Sequence, residues 1–369
     1  MTLQILNTVL IVTAMNTILA LVLVIAERFL ANYGSCRIVI NKEKELDVQG
    51  GSSLLSSLAG QKIFLPSACG GRGTCAYCKC KIKSGAGPVL PTEQALLTSE
   101  ETDQQIRLAC QVKVKEDLEI EIPEDLFRIQ EFRAEVAVLK DLTHDIKLLR
   151  LKLIQPKTIR FKSGQYIQLQ TKPYDGVKET AQRAYSMASP NYEKQSVDLI
   201  IRLVPDGICT TWVHQFLKMG ETVTFIGPMG DFYLREGEGE IVMVAGGSGM
   251  APMVSILMEM ARNKNTRKIT YLFGSVSKKD LFYVDEMRSL EKQLGNFTFI
   301  PVLSQPDPAD EWKGETGLIT VPLAAYLKKI NIEAAQGYLC GSPGMVNACV
   351  KVMKENGLTH DRIFYDPFA

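Results

Sequence analysis

The chain has 369 residues, of which 46% are hydrophobic and 22% charged, and its net charge is +1. That length suits two or three domains of about 100–200 residues, each with enough apolar residues for a core. A charge near zero without a basic run gives no support to nucleic-acid binding. Nine cysteines, four of them in one organised set, indicate a metal centre in a reducing compartment rather than a disulfide framework.

The first predicted element is an apolar helix at the N-terminus. Residues 3–26 contain no charged residue and are long enough to span a bilayer. Thr13, Asn16 and Thr17 fall at helical spacing, so they either face a partner helix or are tolerated in a simple anchor. No Lys or Arg precedes the run, which disfavours a cleaved signal peptide. We therefore expect a single-pass anchor in the cell inner membrane, with the catalytic domains in the cytoplasm, where thiols stay reduced.

Three domains are predicted after the anchor. Residues 33–123 contain short strands around a Gly/Cys loop, which indicates a small α+β unit wrapped around the cysteines. Residues 129–235 repeat short Val/Ile/Leu runs between Gly and Pro turns, a spacing typical of an antiparallel barrel. Residues 238–369 alternate strands with helices, which indicates a doubly wound parallel sheet. The expected fold class is multidomain, α/β and β.

Some individual elements are predicted more closely. Residues 47–51 have a turn-like composition, and residues 106–114 have the pattern of one strand. The continuous apolar run at 241–245 predicts a strand buried on both faces, followed by a helix at 250–262. A second helix is predicted over residues 280–294.

Four cysteines point to an iron–sulfur centre. The segment CGGRGTCAYC holds Cys69, Cys75 and Cys78, and Cys110 follows in RLACQV. Structural zinc sites usually use two close CxxC knuckles, whereas here three cysteines share one glycine-rich loop. We expect Cys80, on the next strand, to be a core cysteine and not a ligand. The loop resembles that of [2Fe–2S] ferredoxins, which implies a β-grasp-like domain.

The segment RAYS carries the residue types that a flavin needs. Tyr185 offers an aromatic face, Ser186 a donor near flavin N5, and Arg183 a cation for phosphate. The segment GICTT precedes a helix predicted at 210–217, and helix N-termini with glycine and hydroxyl residues bind diphosphate. That segment alone equally fits an ordinary capped helix. Its candidate residues are Gly207, Cys209 and Thr210.

Two glycine-containing turns indicate a nicotinamide dinucleotide site. VAGGSGMAP follows the buried strand and opens a helix, so its backbone can approach a pyrophosphate closely. Its candidate residues are Gly246, Gly247, Gly249 and Pro252, the last suited to a first helical turn. YLCGSPG is a second turn at a strand end, with Cys340 and Gly341. A buried cysteine is more often plain core, so Cys340 needs further support.

With GQY at 164–166 and GPMGDF at 227–232, these motifs resemble the ferredoxin–NADP reductase-like superfamily over residues 129–369. The resemblance implies that the arginine of RAYS contacts the flavin phosphate, the tyrosine packs on the ring and the serine approaches N5. It also implies FAD as the flavin and places Cys340 close to the hydride-transfer position.

The resemblance further implies that a C-terminal aromatic residue covers the flavin. Phe368 is the best match, with Phe364 and Tyr365 as rivals. The segment LFYVDE at 281–286 is similar to that of NADH-preferring relatives, although residues 277–279 could instead meet a 2′-phosphate.

The whole order of elements resembles the F subunit of the sodium-translocating NADH:quinone oxidoreductase. That resemblance implies hydride transfer from NADH to FAD, then transfer of single electrons through a [2Fe–2S] cluster to membrane subunits of a respiratory complex. It also implies that the complex reduces ubiquinone and transports sodium. Two alternatives stay open: a membrane-anchored NAD(P)H reductase serving an oxygenase or other metalloprotein, and a non-enzymatic electron carrier or assembly factor.

Overall fold

The computed structural model describes residues 10–22, 33–123, 126 and 129–367, which fall into two compact units. Residues 10–22 are helical, with exposed apolar side chains such as Ile18 and Leu21. Within the described residues, no helix is both long and apolar enough to cross a membrane. The rest of the predicted anchor, residues 3–9 and 23–26, lies outside the described residues.

The first unit is a mixed five-stranded sheet with three short helices. The sheet order is β2-β1-β5-β3-β4, with β1 parallel to β5 and the other neighbours antiparallel. Its strands are β1 (Ser35–Ile40), β2 (Lys44–Gln49), β3 (Lys79–Ser84), β4 (Ile106–Leu108) and β5 (Leu118–Glu121); its helices are α1 (Leu54–Gly60), α2 (Pro91–Gln94) and α3 (Ser99–Asp103). Alternate residues of β1 are buried, as a strand with one face on a core requires.

Two predictions in this unit were wrong. The turn expected at 47–51 is largely strand β2, an edge strand that buries only Val48 and therefore lacks an apolar signal. The strand expected at 106–114 ends at Leu108, because the chain turns at 109–111. The N–H of Ala109 there donates to the Cys78 carbonyl at 2.9 Å, which ties this turn to the cysteine loop.

The second unit begins with an antiparallel barrel, as predicted. Its sheet order is β10-β7-β6-β11-β8-β9. The strands are β6 (Gln130–Asp141), β7 (Ile146–Gln155), β8 (Tyr166–Gln170), β9 (Gln182–Ser186), β10 (Ser196–Arg202) and β11 (Thr222–Met229). Met187 pairs with Leu199, so the two edge strands meet and the sheet closes. Helix α4 (Ile208–Thr211) continues as a π-helical turn, Trp212–Phe216.

A parallel six-stranded sheet completes the second unit. Its order is β15-β14-β13-β12-β16-β17. The strands are β12 (Ile241–Gly246), β13 (Ile269–Ser275), β14 (Phe297–Leu303), β15 (Glu315–Thr316), β16 (Gln336–Gly341) and β17 (Ile363–Pro367); the helices are α5 (Met250–Arg262), α6 (Val284–Leu294), α7 (Thr320–Leu327) and α8 (Pro343–Glu355). The strand order reverses between β12 and β16, and ligands of such sheets bind outside the carboxyl ends at this switch point.

Helix α6 begins at Val284, not at Asp280 as the sequence pattern predicted. Residues 278–280 form a separate 3₁₀ turn, and Tyr283 has a left-handed φ of 56° immediately before the helix. A helix cannot pass through that backbone conformation, so the two segments are distinct.

The barrel and the parallel sheet share a buried core. Ile146 and Ile200 of the barrel belong to the same apolar cluster as Ile256 of α5. The Ser255 hydroxyl donates to the Ser189 carbonyl at 2.7 Å, within this contact. The two halves of the second unit are therefore packed together, with their open cleft at the switch point of the sheet.

Candidate active site

A cavity of about 340 Å³ lies where the barrel meets the carboxyl ends of the parallel strands. Gly246 and Gly247, predicted to contact the dinucleotide, both line it. Gly247 has a φ of +56°, a conformation that favours glycine, and its missing side chain leaves the backbone open to a ligand. Because strand ends and a glycine turn converge here, the cavity suits a pyrophosphate-containing molecule.

Gly249 and Pro252 do not line the cavity but lie buried behind the glycine turn. Both are buried, and a side chain at Gly249 would collide with the Cys340 carbonyl. Pro252 lies in the first turn of α5, where its missing N–H leaves no helical hydrogen bond unmade. Gly249 therefore permits the glycine turn to approach the backbone of β16, the strand that carries Cys340 and Gly341.

Arg202 is a cavity residue that the sequence analysis missed. It lies at the end of β10, and a Cβ on Gly247 would be 3.6 Å from its Nη1 atom. Its Nε donates to Asp145 Oδ2 at 2.7 Å. Burial raises the pKa of Asp145, but hydrogen bonds from Arg202 and Thr143 outweigh it and hold the pKa below its ordinary value. A fixed cation therefore stands beside the glycine turn, suited to phosphate.

Ser186, Cys340 and Asp366 lie close together where the end of β9 meets β16 and β17. The Ser186 hydroxyl donates to Asp366 Oδ2 at 3.4 Å, and Asp366 is the register partner of Cys340 in the pairing of β16 with β17. Burial first, and the nearby Asp366 charge second, raise the pKa of the Cys340 thiol. The predicted pair Ser186 and Cys340 is thus joined by a carboxylate that no motif had indicated.

The three C-terminal aromatic candidates differ in position. Phe368 lies outside the described residues. Phe364 packs on Tyr338, with ring centroids 5.1 Å apart, and Tyr365 stacks on His360 at 6.5 Å. Both rivals therefore already have aromatic partners.

The predicted flavin residues lie on β9 and at the start of α4. Tyr185 forms a hydrogen bond with the Cys209 thiol. Burial raises the pKa of this thiol to about 11, although the hydrogen bond from Tyr185 and the charge of Arg183 act to lower it. The Thr210 hydroxyl instead bonds its own loop, including the Val204 N–H at 3.1 Å, and a side chain at Gly207 would meet that hydroxyl. Arg183, Tyr185 and Cys209 therefore form one group, and Thr210 shapes the loop before α4.

The predicted cluster ligands lie in the glycine loop and in the turn after β4. Cys69 and Cys75 are half-buried in the loop, Cys78 is buried, and Cys110 lies in the turn. A hydrogen bond with the Cys110 thiol, then burial, raises the pKa of the Cys78 thiol. Across the described residues, no group of three or more Cys, His, Asp or Glu side chains is arranged as a metal site.

The loop itself fits an iron–sulfur group in its donor chemistry and backbone. Its thiols are the soft ligands that such clusters take. Gly70, Gly71 and Gly73 all have positive φ, of 66°, 86° and 76°, a conformation that favours glycine and lets the loop curl tightly. The Gly71 N–H donates to the Ser67 hydroxyl at 2.8 Å, which fixes one side of that curl.

The comparisons with known proteins agree with this arrangement. The chain matches the families described as 2Fe-2S iron-sulfur cluster binding domain over residues 38–115, Oxidoreductase FAD-binding domain over 133–233 and Oxidoreductase NAD-binding domain over 243–351. It is 35% identical to the F subunit of the Na(+)-translocating NADH-quinone reductase of Neisseria meningitidis, over 97% of each chain. The corresponding subunit from Marinomonas is 35% identical over 100% of this chain and 99% of its own.

The chain belongs to the family of NADH-quinone reductase F subunits. It is an oxidoreductase subunit with NADH, FAD and a [2Fe–2S] cluster as its cofactors, and it carries electrons from NADH through FAD to the cluster.

Solved structures with this fold include reductases of other partners. A cytochrome P450 reductase of Amycolatopsis has a TM-score of 0.73 and 28% identity, covering 90% of this chain and 98% of its own. A ferredoxin reductase in carbazole 1,9a-dioxygenase has a TM-score of 0.68 and 25% identity, covering 91% of this chain and 98% of its own. The chain therefore shares the ferredoxin-reductase fold with both.

In this reductase chain, the LFYVDE segment does not line the cavity described above. Phe282 is buried, and burial raises the pKa of Tyr283 to about 12, with Asp198 of the barrel contributing. The cavity is instead lined by Asp280, whose Oδ2 accepts hydrogen bonds from the Ser277 N–H at 2.8 Å and the Ser277 hydroxyl at 2.9 Å. Residues 281–284 of LFYVDE therefore pack on the core that the two halves share, and a carboxylate stands beside the Ser277 turn.

Cys80 of the reductase chain lies in β3 with 3% of its surface exposed, within the apolar core of the first unit. Burial raises the pKa of its thiol to about 12. A thiol in that environment is unreactive and suits core packing.

Proposed function

We propose that this chain is the NADH-oxidising input module of a sodium-translocating NADH:quinone reductase. The observation that carries the proposal is the likeness to F subunits of that reductase over nearly the whole chain. The same likeness disfavours service to an oxygenase, because the reductases of that kind resemble the chain less closely in sequence. Its partners are then the other membrane subunits of that complex. Quinone reduction and sodium transport are activities of the complex as a whole.

The chemistry of the proposal divides between cofactors and protein. When bound, the flavin accepts a hydride and the cluster accepts single electrons, so together they convert a two-electron input into a one-electron output. The protein supplies binding and orientation: Arg202 with Gly246 and Gly247 for the dinucleotide phosphates, Ser186 for the flavin N5 region, and Cys340 beside the nicotinamide.

We assign the other predicted residues as follows. Arg183 holds the flavin phosphate, Tyr185 packs on the ring, and the loop before α4 borders the diphosphate. Phe368 covers the flavin. The four cluster ligands are Cys69, Cys75, Cys78 and Cys110. The corresponding domains are residues 33–123, 129–235 and 238–369.

We further propose that residues 3–26 anchor the module to the inner membrane, with the catalytic domains on the cytoplasmic side. The absence of charge from this run supports the proposal. In cell fractionation, the full chain should sediment with membranes and a variant lacking residues 3–26 should not. Sedimentation of both forms would contradict the anchor.

The test of the proposed function is an anaerobic titration of the purified full chain with NADH, followed by absorbance and electron paramagnetic resonance. We expect loss of the flavin absorbance and then the signal of a reduced [2Fe–2S] cluster. NADPH should be far less effective, because Asp280 places negative charge beside the Ser277 turn. No change in flavin absorbance with NADH would contradict the proposal.

Matched cysteine variants test the ligand assignment in the same experiment. Cys75→Ala should lose the cluster signal and keep reduction of the flavin by NADH. Cys80→Ala, the control, should keep both, because Cys80 is a core residue. A cluster that survives Cys75→Ala and is lost in Cys80→Ala would reverse the assignment.

A further inference from the structure

Residues 234–240, here called the linker, join the barrel to the first strand of the parallel sheet. Their sequence is LREGEGE, and the side chains of Glu236 and Glu238 are exposed. Such a composition alone is typical of a loose connection. In the structure, however, backbone groups of four linker residues are held by buried polar side chains and a strand N–H: those of Arg235, Glu236, Gly239 and Glu240.

Arg267 makes the largest share of these contacts. Its side chain is 8% exposed, and within the described residues its hydrogen bonds go to neutral oxygens. Nε donates to the Gly239 carbonyl at 2.7 Å and Nη1 to the Arg235 carbonyl at 3.2 Å. Nη2 donates to Gln336 Oε1 at 2.9 Å. A buried guanidinium needs hydrogen-bond acceptors, so loosening the linker would deprive Nε and Nη1 of the partners described here.

Gln336 and Tyr338 complete the set from strand β16. Gln336 Nε2 donates to the Glu236 carbonyl at 2.9 Å, and its backbone N–H donates to the Glu240 carbonyl at 2.9 Å. The hydroxyl of Tyr338, fully buried, accepts from the Arg235 N–H at 2.8 Å and donates to Gln336 Oε1 at 3.1 Å. Networks in which every member is satisfied rigidify what they hold.

The same strand carries the catalytic end of the site. Side chains alternate along a strand, so Gln336, Tyr338 and Cys340 project from one face of β16. On the neighbouring strand β17, Phe364 pairs with Tyr338 and Asp366 pairs with Cys340. The residues that hold the linker are therefore two and four positions from the thiol that lies beside Ser186 and Asp366.

Arg235 extends the connection in the other direction. Its guanidinium lies 3.7 Å from the Tyr233 ring centroid and 5.4 Å from that of Phe364, and it donates to Asp231 Oδ2 at 2.6 Å. Asp231 belongs to the GPMGDF segment, which begins in the last residues of barrel strand β11 and continues beyond it. The linker is thus fixed to the barrel on one side and to β16 and β17 on the other.

We propose that Arg267, Gln336 and Tyr338 act as a linker clamp whose role is to position the barrel half against Cys340 and Asp366 for hydride transfer. The three are positioning residues: they touch the linker, not the nucleotide. The proposal rests on the NADH-oxidising function and adds to it the residues that set the distance between its two halves. A displacement of about 1 Å at a reacting centre can cost about a hundredfold in rate.

The first test is limited proteolysis of the full chain with a glutamate-specific protease. The linker holds Glu236, Glu238 and Glu240, so its opening is read directly as cleavage there. Tyr338→Phe removes one hydroxyl and should raise the cleavage rate about tenfold, because a buried N–H and a buried amide oxygen each lose a partner. Arg267→Gln should raise it further, and Arg267→Lys should recover part of the resistance.

Two variants serve as matched controls. Tyr271→Phe also removes a fully buried tyrosine hydroxyl in the same half, but that hydroxyl contacts Met250 sulfur at 3.2 Å and not the linker. Arg288→Gln removes an arginine that donates to the Phe299 carbonyl at 3.0 Å, away from the linker. Both controls should be cleaved in the linker at the rate of the unaltered chain.

The second test is stopped-flow reduction with NADH of the same variants, loaded with FAD. At saturating NADH, flavin reduction in Tyr338→Phe and Arg267→Gln should be slower by about tenfold or more. Their dissociation constants for NADH should stay near those of the unaltered chain, and both control variants should match the unaltered chain in rate and in dissociation constant. If the linker of Tyr338→Phe and Arg267→Gln is cleaved no faster than that of Tyr271→Phe, the proposal is overturned. It is also overturned if their linker opens but their hydride-transfer rate is unchanged. If the unaltered chain does not oxidise NADH, the proposed function fails, and the cleavage comparison still decides whether the clamp holds the linker.

Discussion

The hydroxyl of Ser186 donates to the carboxylate of Asp366 at 3.4 Å, although the two residues are 180 positions apart in the chain. Ser186 ends barrel strand β9, and Asp366 lies on the last strand of the parallel sheet. Their contact fixes the end of one sheet against the end of the other, beside Cys340. The carboxylate therefore stands at the position that we propose for the nicotinamide.

Replacement of that carboxylate tests its part in hydride transfer. Asp366→Asn keeps the size and hydrogen-bonding capacity of the side chain and removes its charge. We expect the rate of flavin reduction by NADH, measured by stopped flow, to fall about 10- to 100-fold, because a hydrogen bond to a charged group is worth about 1.5–3 kcal/mol. Ser186→Ala should have a similar effect. Asp361→Asn, at an exposed position near the same strand, is the control; an Asp366→Asn variant that reacts as fast as this control would contradict the role.

The local elements of the fold were predictable because their signals are periodic or glycine-based. Strand β12 is fully buried along 241–245, as its unbroken apolar run predicts, and α5 spans the predicted residues 250–262. The cysteine loop and the first glycine turn are indicated by residue type and spacing, whereas the assignment of the second turn depends on a family resemblance. These features depend on neighbours in sequence, so a single chain displays them.

The residues that sequence analysis missed depend on distant packing. Asp366 and Arg202 matter because β17 pairs with β16 and because the barrel end meets the glycine turn, and neither contact leaves a local pattern. The LFYVDE segment differs again: NADH, which its resemblance favours, is the dinucleotide of the family, but the segment does not line the cavity. Phe282 and Tyr283 pack instead in the core that the two halves share, a position that the sequence does not indicate.

Arg202 should control NADH affinity rather than the chemical step. Arg202→Ala removes the cation beside Gly247, so we expect KM for NADH to rise about tenfold, the value of one charge-assisted hydrogen bond to phosphate, with kcat little changed. The control is Arg150→Ala, which breaks a comparable pair with Asp198 at 2.7 Å on the same barrel but does not border the cavity. Steady-state kinetics with an artificial acceptor measure both constants. An unchanged KM in Arg202→Ala would refute the assignment.

Gly249 should tolerate no side chain, for a reason distinct from backbone conformation. An added Cβ would collide with the Cys340 carbonyl, which belongs to rigid strand backbone. Gly249→Ala must therefore push the glycine turn away from β16, and we expect overpacking to cost about 1–3 kcal/mol together with loss of most NADH oxidation. Gly344→Ala is the control, because nothing lies within 4 Å of its added Cβ. Thermal unfolding and NADH oxidation report the two effects; equal behaviour of the two alanine variants would show that the close approach is unimportant.

The first unit contains a buried ion pair whose loss should be severe. Glu93 is fully buried and Arg107 is 5% exposed, with Arg107 Nη2 2.5 Å and Nε 3.0 Å from the two carboxylate oxygens. Arg107 also donates to the Gly87 and Pro88 carbonyls, at 2.9 and 3.0 Å. The pair thereby ties the loop before α2 to β4, the strand that leads to Cys110.

Glu93→Gln should destabilise this unit by about 3–5 kcal/mol at neutral pH, because it leaves the Arg107 charge buried without its partner. Burial acts to raise the pKa of Glu93, but hydrogen bonds from Arg107, Leu108 and Leu90 outweigh it and lower the pKa below its ordinary value. The stability from this ionisation is therefore present above the unfolded pKa of about 4.3 and is lost as pH falls through the lower folded pKa. The difference between Glu93→Gln and the unaltered chain should accordingly shrink in acid. Urea unfolding, followed by the visible absorbance of the cluster, measures the free energy of unfolding of each variant. Glu101→Gln is the control: its partner Lys79 is partly exposed, so its loss should cost within about 1 kcal/mol. A Glu93→Gln variant no weaker than that control at neutral pH would show that the ion pair does not stabilise the unit.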